Sequence, residues 1–311
     1  MKYTFLLPAY KGRFLDEMLR SIQGQTYTDF KVIISDDCSP EDLRSICKPY
    51  LSDSRFSYRR NEVNMGSKSL VSHWNLLVNL CDTEYLILAS DDDVYNPLFL
   101  EEIDKLTEKY PLVELFRARV RRINSNNKTL KNDGLFEEFT DCLHFIYQSQ
   151  LSNHIHCIAN YCFLTNSLKR NKGFIDFPKA WASDDATTIM MSKNGCCNTS
   201  KVLFDYRTSE INISSKYGDE YDSKEKVTAI LAYYNWFIRF FDQVFCGEYE
   251  PEPILPTIAK LCLKKNIEDE MLEYVVFCRW KDFFLFARRC QRELGLSFPI
   301  LFYLWLRRKV K

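Results

Sequence analysis

Three consecutive carboxylates follow an apolar segment in the first third of the chain. Residues 84–89 are rich in leucine, isoleucine and tyrosine without helical spacing, so they predict a buried strand. Asp91, Asp92 and Asp93 come one residue after it. Adjacent like charges repel one another, and either full solvation or a shared divalent cation relieves that repulsion. The triplet by itself is compatible with both explanations.

Two further acidic pairs lie at the ends of predicted elements. Asp36 and Asp37 follow an apolar strand, whereas Asp184 and Asp185 begin a predicted helix that ends before Gly195. The second pair has a simple explanation, because acids at a helix start stabilise its positive end by about 1 kcal/mol. Taken alone, that pair indicates nothing more specific.

The elements that must position these acids alternate between strands and helices. Apolar runs predict strands at 3–7, 30–34, 56–60 and 84–89. Helical spacing and capping residues predict helices at 14–22, from 39, at 67–81 and after 97. This alternation indicates an α/β fold with a mostly parallel sheet and helices on both faces. Ligands of such sheets bind beyond the carboxyl ends of the strands, so the pair at 36–37 and the triplet should meet at one edge.

Carboxylates gathered at one edge suggest a particular ligand. They would repel a phosphate unless a cation lay between, and Mg²⁺ or Mn²⁺ is the usual bridge from carboxylates to a diphosphate. The sequence contains neither GxxxxGK[ST] nor GxGxxG, so a glycine-rich phosphate loop is not available. A nucleoside diphosphate held through a metal is therefore our hypothesis.

Length, charge and cysteine use narrow the class of protein. The chain has 311 residues, enough to bury a large core without disulfides. Its 42 basic and 42 acidic residues give no net charge, so we expect no nucleic-acid partner. The 12 cysteines lie scattered in apolar segments and predict reduced core residues of a cytoplasmic protein. The apolar N-terminal segment is too short for a signal peptide or a membrane span.

Several ordered motifs resemble the family 2 glycosyltransferases of the GT-A fold. They are LLPAY at 6–10, QTYTDF at 25–30, ISDDCS at 34–39, NMG at 64–66 and SDDD at 90–93. The resemblance is clear over residues 1–110 and thinner to 215. It implies a Rossmann-like GT-A domain and an inverting, hexosyltransferase-type enzyme that uses Mn²⁺ or Mg²⁺. The donor would be a nucleotide diphosphate sugar, by default a UDP-sugar, and the acceptor a hydroxyl of a glycan or lipid-linked saccharide in cell-surface polysaccharide synthesis.

The resemblance also implies roles for individual residues. The implied nucleotide-binding residues are Pro8, Ala9, Tyr10, Asp37, Asn64, Gly66, Asp91 and Arg207. Asp37 would contact the base, Asp91 would lie near the ribose or phosphates, and Arg207 would meet the diphosphate or else pair with a surface acid. Asp92 would hold the metal together with Asp93. Ser90 stands where many members carry the first acid of their DxD motif, so the division of roles among Asp91, Asp92 and Asp93 stays open. Ser209 stands near the position of a histidine found in many members, so we expect no metal ligand from it.

A catalytic base is implied by the same family, whose members keep an acidic pair before a helix of the middle region. Asp184 is the first choice as general base for the acceptor hydroxyl, and Asp185 is the alternative. His154 and His156 alternate along a possible strand, and without a third ligand we interpret them as structural.

The composition changes from residue 216 onward. We predict a GT-A domain at 1–215 and a helical C-terminal extension at 216–311. The extension ends in FPILFYLWL at 298–306, followed by RRKVK. That run is shorter than the roughly 20 residues needed to span a bilayer. It either packs on the catalytic domain or, with its basic tail, rests peripherally on the inner face of the membrane.

Two other functional classes remain open. A nucleotidyltransferase that makes a sugar nucleotide would also use acids and a metal, but it should carry a glycine-rich basic loop after the first strand. The sequence has Pro8 to Gly12, PAYKG, at that point. A non-catalytic relative that binds a nucleotide or glycan is the second alternative, and an assay of nucleotide release separates it from an enzyme.

Overall fold

The computed structural model describes residues 1–149, 154–209, 220–245 and 254–309. The strands in this part of the chain are β1 (Tyr3–Ala9), β2 (Phe30–Asp36), β3 (Phe56–Arg60), β4 (Tyr85–Leu88), β5 (Val94–Tyr95), β6 (Leu115–Asn124), β7 (Thr129–Asn132), β8 (Phe139–Thr140), β9 (Tyr161–Leu164) and β10 (Cys196–Thr208). They form one sheet in the order β3-β2-β1-β4-β9-β6-β10-β5, with β7 beside β6 and β8 beside β10.

The sheet brings the first acidic clusters to one edge. β1 is parallel to both β2 and β4, with Ala9 opposite Asp36 and Leu6 opposite Leu88. The carboxyl ends of these three strands therefore lie side by side, and the acids that follow β2 and β4 leave the sheet together. β9 runs antiparallel between β4 and β6, while β6 and β10 are again parallel. The predicted α/β architecture with a mostly parallel sheet is confirmed.

Helices cover both faces of the sheet. They are α1 (Leu15–Gln23), α2 (Leu43–Cys47), α3 (Leu70–Leu80), α4 (Phe99–Lys109), α5 (Cys142–Ser149), α6 (Thr165–Arg170), α7 (Ser183–Met191), α8 (Glu220–Phe245), α9 (Ile254–Val275), α10 (Trp280–Leu294) and α11 (Phe298–Lys309). α1 buries Leu15, Met18, Leu19 and Ile22, the spacing of one helical face. Ser69 is the N-cap of α3, and its hydroxyl oxygen accepts from the backbone N–H of Ser72. The helix therefore begins three residues after the start of the predicted range 67–81.

Two hydrophobic cores lie on the two faces of the sheet. One packs alternate residues of β1 and β2, such as Phe5 and Val32, against α1 and α4. The other contains Leu6 and Leu88 together with Val227 of α8 and Phe283 of α10, so the C-terminal helices share a core with the sheet. The predicted domain boundary between residues 215 and 216 lies outside the described residues and stays a prediction. No described helix is long and apolar enough to cross a membrane.

Candidate active site

A cavity of about 630 Å³ opens where β1, β2 and β4 end. Its walls contain the predicted residues Pro8, Tyr10, Asp37, Asn64, Gly66, Asp91, Asp92, Asp93, Asp184 and Asp185. The two acidic groups that are far apart in sequence, at 91–93 and at 184–185, therefore line one cavity.

Asp37 shapes the cavity by holding the turn at 64–66. Its Oδ1 accepts from the backbone N–H of Met65 at 2.9 Å and from the side-chain amide of Asn61 at 2.9 Å. Its Oδ2 accepts from the backbone N–H of Gly66 at 2.7 Å. A Cβ at Gly66 would lie 3.0 Å from that oxygen, closer than an ordinary van der Waals contact, so glycine leaves room for this hydrogen bond. The predicted contact of Asp37 with the base stays a prediction, but its carboxylate already organises the turn.

We expect Asp37→Ala to weaken nucleotide binding at least tenfold and to lower stability by about 1 to 3 kcal/mol, because two partly buried backbone N–H groups and the buried Asn61 amide lose their acceptor. Calorimetric titration with UDP and chemical unfolding measure the two effects. Asp42→Ala is the matched control, since Asp42 accepts from Ser45 N–H as the cap of α2 outside the cavity. It should lower stability but leave UDP affinity unchanged, and equal affinity losses in both variants would contradict the role given to Asp37.

Asp91 fastens the loop after β1. One of its carboxylate oxygens accepts from the backbone N–H groups of Tyr10 at 2.8 Å and of Lys11 at 2.7 Å. Burial raises the pKa of Asp91, although these hydrogen bonds act in the opposite direction. Asp91 thus sets the position of the loop that carries Tyr10.

Asp93 is tied into the protein in a similar way. Its Oδ1 accepts from the backbone N–H of Arg207 at 2.7 Å, and its Oδ2 accepts from the Ser90 hydroxyl. Asp92 lies between its two acidic neighbours and lines the cavity. The pKa of Asp92 is raised to about 6, mainly by burial and secondarily by the negative charge of Asp91. A cation at Asp92 would relieve this repulsion.

The residues present fit a cation whose coordination is completed by oxygens of the substrate. Among the described residues, no group of three histidine, cysteine or acidic side chains converges to hold a metal alone. Mg²⁺ characteristically takes only one or two carboxylates from the protein and fills its other positions with phosphate oxygens and water. Asp92, with Asp93 beside it, meets that pattern at the cavity wall.

The structure shows the surroundings of two further predicted nucleotide-binding residues. The Arg207 side chain is fully buried, with Nη2 2.8 Å from Glu17 Oε2, and its Nε donates to the Asp92 carbonyl at 2.7 Å. Glu17 is 40% exposed, so Arg207 pairs with a surface acid, one of its two predicted alternatives, and its contact with the diphosphate stays a prediction. Ala9 is also fully buried, and its carbonyl accepts from Asp37 N–H at 2.9 Å. Neither residue lines the cavity.

Asp184 and Asp185 line the cavity from the start of α7. Burial, followed by the charge of Asp185, raises the pKa of Asp184 to about 7. Burial also raises the pKa of Asp185 to about 6. A carboxylate whose pKa lies near the working pH is suited to act as a general base.

His156 also lines the cavity and was not predicted as a site residue. Its Nδ1 lies 3.1 Å from Asp185 Oδ1, and burial lowers its pKa to about 4, so the imidazole is neutral at pH 7. The ring lies 4.2 Å from that of His154, centroid to centroid. The acidic pair and the two histidines were both visible in the sequence, but no local pattern related one to the other.

The segment before α7 has an unusual backbone. Lys179, Ala180 and Ala182 have φ angles of 60°, 56° and 61°, the left-handed region that side chains with a Cβ disfavour. Each such residue costs about 1 to 3 kcal/mol, and such residues cluster at functional sites. Here they flank Trp181, which lines the cavity with them.

Glu270 reaches the cavity from α9. Burial, followed by the charge of Asp185, raises the pKa of Glu270 to about 8. Its sequence context, an acidic stretch within a helix, contains no signal for a site residue. The C-terminal helices therefore complete a wall that the N-terminal motifs alone do not form.

A family model and several known proteins match part of this chain. The family model described as Glycosyl transferase family 2 matches residues 4–169. Protein CgeD of Bacillus subtilis (strain 168) is 25% identical over 114 residues, 35% of this chain and 26% of that protein. The poly(ribitol-phosphate) beta-N-acetylglucosaminyltransferase TarS of Staphylococcus aureus (strain Mu50 / ATCC 700699) is 25% identical over 105 residues, 33% of this chain. The chain matches only 18% of the length of TarS.

Solved structures share the fold over nearly the whole chain. S. aureus TarS 1–349 in complex with UDP-GlcNAc has a TM-score of 0.69 at 16% identity and covers 98% of this chain and 87% of its own. The mannosyltransferase PcManGT from Pyrobaculum calidifontis, in complex with GDP-Man and Mn²⁺, has a TM-score of 0.56 at 15% identity. It covers 100% of this chain and 81% of its own. These likenesses include the C-terminal helices.

Proposed function

Because this chain belongs to glycosyl transferase family 2 and is therefore a glycosyltransferase, we propose that it transfers a sugar with inversion from a UDP-sugar to an acceptor hydroxyl. The observation that carries the proposal is that two acidic groups, Asp91 to Asp93 after β4 and Asp184 with Asp185 at the start of α7, line one cavity. Inversion requires a base on the face of the sugar opposite the leaving diphosphate, and two separate acidic groups can supply the metal site and that base.

In the proposed reaction, the Asp184 carboxylate accepts the proton of the acceptor hydroxyl. The oxygen of that hydroxyl forms a bond to the anomeric carbon while the bond from this carbon to the diphosphate breaks. Mn²⁺ or Mg²⁺ held by Asp92, with Asp93, would supply positive charge to the leaving diphosphate. Asp37 and Gly66 shape the nucleotide side of the cavity, and Trp181 offers an aromatic surface to a sugar ring.

UDP is the proposed nucleotide because the solved relative with a TM-score of 0.69 holds UDP-GlcNAc. The acceptor is proposed to be a hydroxyl of a glycan or lipid-linked saccharide in cell-surface polysaccharide synthesis, as the family resemblance implies. TarS, by its name, acts on poly(ribitol-phosphate). We also propose a cytoplasmic location, which rests on the distribution of cysteines in the sequence. Donor sugar, acceptor and location are all open to direct measurement.

The test of the function is nucleotide release from a panel of UDP-sugars, with GDP-mannose included, in the presence of Mn²⁺ and candidate glycan acceptors. We expect release of UDP from one donor, with an acceptor-dependent increase. Tight UDP binding without release from any donor would favour the non-catalytic relative. Release of pyrophosphate from UTP and a sugar phosphate would instead indicate a nucleotidyltransferase.

We expect His156→Phe to lower kcat about tenfold, because Asp185 loses the imidazole nitrogen beside its carboxylate while the ring volume is kept. The same loss should move the acidic limb of the pH–rate profile to higher pH, since His156 lowers the pKa of the proposed base Asp184. His156→Asn, which can still donate, should recover part of the rate.

The control for this prediction is His144→Phe, which removes the imidazole next to Asp141 on the protein surface. That variant should keep both kcat and the pH profile of the wild type. An unchanged profile in His156→Phe would show that His156 has no part in positioning the acidic pair.

A further inference from the structure

The two last helices differ in charge from the rest of the protein. The 36 residues after α9, from Val276 to Lys311, contain nine lysines and arginines but two acids, a net charge of +7. The whole chain is neutral, so the preceding residues carry a net charge of −7. Positive charge is therefore concentrated in the last two helices of a protein whose net charge is zero.

α10 turns a basic stripe outward. Lys281, Leu285, Arg288 and Arg292 are exposed at helical spacing, opposite a buried face that includes Phe283. Both acids of α10 have cationic partners. Asp282 pairs with Lys224 at 3.1 Å, and Glu293 pairs with Arg289 and with Arg292, each at 3.1 Å. Trp280, at the start of the helix, is 59% exposed.

α11 turns apolar side chains outward. Ile300 and Tyr303 are 57% and 61% exposed, and Leu306 lies one turn further along the same face. The inner face is fixed to the protein, because Leu301 is buried and Trp305 Nε1 donates to the Cys278 carbonyl at 3.0 Å. The helix is therefore held in place by its inner face, and its outward apolar residues face solvent.

The basic and apolar stripes lie on adjacent helices. Phe283 and Phe284 of α10 pack against Phe298 and Phe302 of α11, with ring centroids about 6 Å apart. This packing makes α10 and α11 a single unit whose outer surface contains Trp280, Lys281, Leu285, Arg288, Arg292, Ile300, Tyr303 and Leu306.

We propose that this α10–α11 surface binds the surface of an anionic lipid bilayer. Basic residues are attracted to anionic headgroups, and tryptophan, tyrosine and aliphatic residues favour the boundary between headgroups and acyl chains. A highly charged protein partner would match the stripe on α10 but not the apolar face of α11. The surface does not involve the cavity, so its membrane contact is independent of the proposed transfer reaction.

Vesicle sedimentation with the full chain tests the proposal. We expect the protein to bind vesicles of phosphatidylglycerol and phosphatidylcholine but not vesicles of phosphatidylcholine alone, and to be released as the salt concentration rises. Lys281→Gln/Arg288→Gln/Arg292→Gln should reduce binding about a hundredfold, since each basic residue near an anionic surface contributes roughly a fivefold preference. Ile300→Ser/Tyr303→Ser/Leu306→Ser should reduce binding at least tenfold.

Two matched controls carry the same chemical changes on the catalytic domain. Arg122→Gln/Lys128→Gln/Lys172→Gln removes three exposed cations, and Leu112→Ser/Leu130→Ser/Leu135→Ser removes three exposed leucines. Both should bind vesicles like the wild type, with thermal unfolding as a check on folding. Binding that is absent in the wild type, or equal in all variants, overturns the proposal. So does a wild-type dimer in light scattering that both α10–α11 variants dissociate, because the surface would then join two copies of this chain.

Discussion

Asp184→Asn should lower kcat by about a hundred- to ten-thousandfold while UDP binding stays within about twofold. The amide keeps the shape of the side chain but cannot accept the proton of the acceptor hydroxyl. Because burial and Asp185 raise the pKa of Asp184 to about 7, the wild-type rate should rise with pH until this carboxyl is ionised. The residual rate of the variant should not show the rise with pH that ionisation of Asp184 causes in the wild type.

Single-turnover kinetics across pH 5 to 8, together with UDP titration, measure this prediction. A comparison of Asp184→Asn with Asp185→Asn identifies the base. The variant that removes the base should lose more activity than the variant that removes its neighbour. Asp176→Asn is the matched control, because Asp176 is exposed and accepts from Ser69 near the cavity without lining it. If Asp184→Asn and Asp185→Asn both turn over like Asp176→Asn, the acidic pair has no catalytic role.

Asp92→Asn should abolish the strengthening of UDP binding by Mn²⁺ and at the same time make the metal-free protein more stable. Burial and the charge of Asp91 raise the pKa of Asp92 to about 6, above its value in the unfolded chain. A carboxyl whose pKa is higher in the folded protein than in the unfolded chain destabilises the folded protein as the pH rises from the unfolded pKa to the folded pKa. The full loss of stability is therefore present at pH 7. Removing the charge should therefore increase the free energy of unfolding by roughly 1 to 3 kcal/mol.

Calorimetric titration with UDP in the presence and absence of Mn²⁺, and chemical unfolding at pH 7 and pH 4, measure both effects. The gain in stability should disappear at pH 4, where Asp92 of the wild type is protonated. Asp93→Asn provides the contrast, because its two oxygens accept from Arg207 N–H and the Ser90 hydroxyl, and it should lose stability. A variant of Asp92 that keeps its response to Mn²⁺ would show that the cation lies elsewhere.

Local patterns in the sequence were sufficient to predict the nucleotide side of the cavity. Apolar runs identified β1, β2 and β4, and the rule that parallel strands present their carboxyl ends at one edge brought Asp37 and the triplet together. The ordered motifs indicated the family, which the match over residues 4–169 supports. These features depend on periodicity and on general topology, and both can be read along the chain.

Only the tertiary structure decided which side chains face the cavity from elsewhere. Arg207 stands close to the expected motif position, but its side chain turns inward to Glu17, and no spacing rule predicts that direction. His156 and Glu270 line the cavity from a loop and from a C-terminal helix, 29 and 85 residues away from Asp185 along the chain. Such contacts depend on the relative placement of elements in three dimensions, which the sequence encodes only through the energy of the whole core.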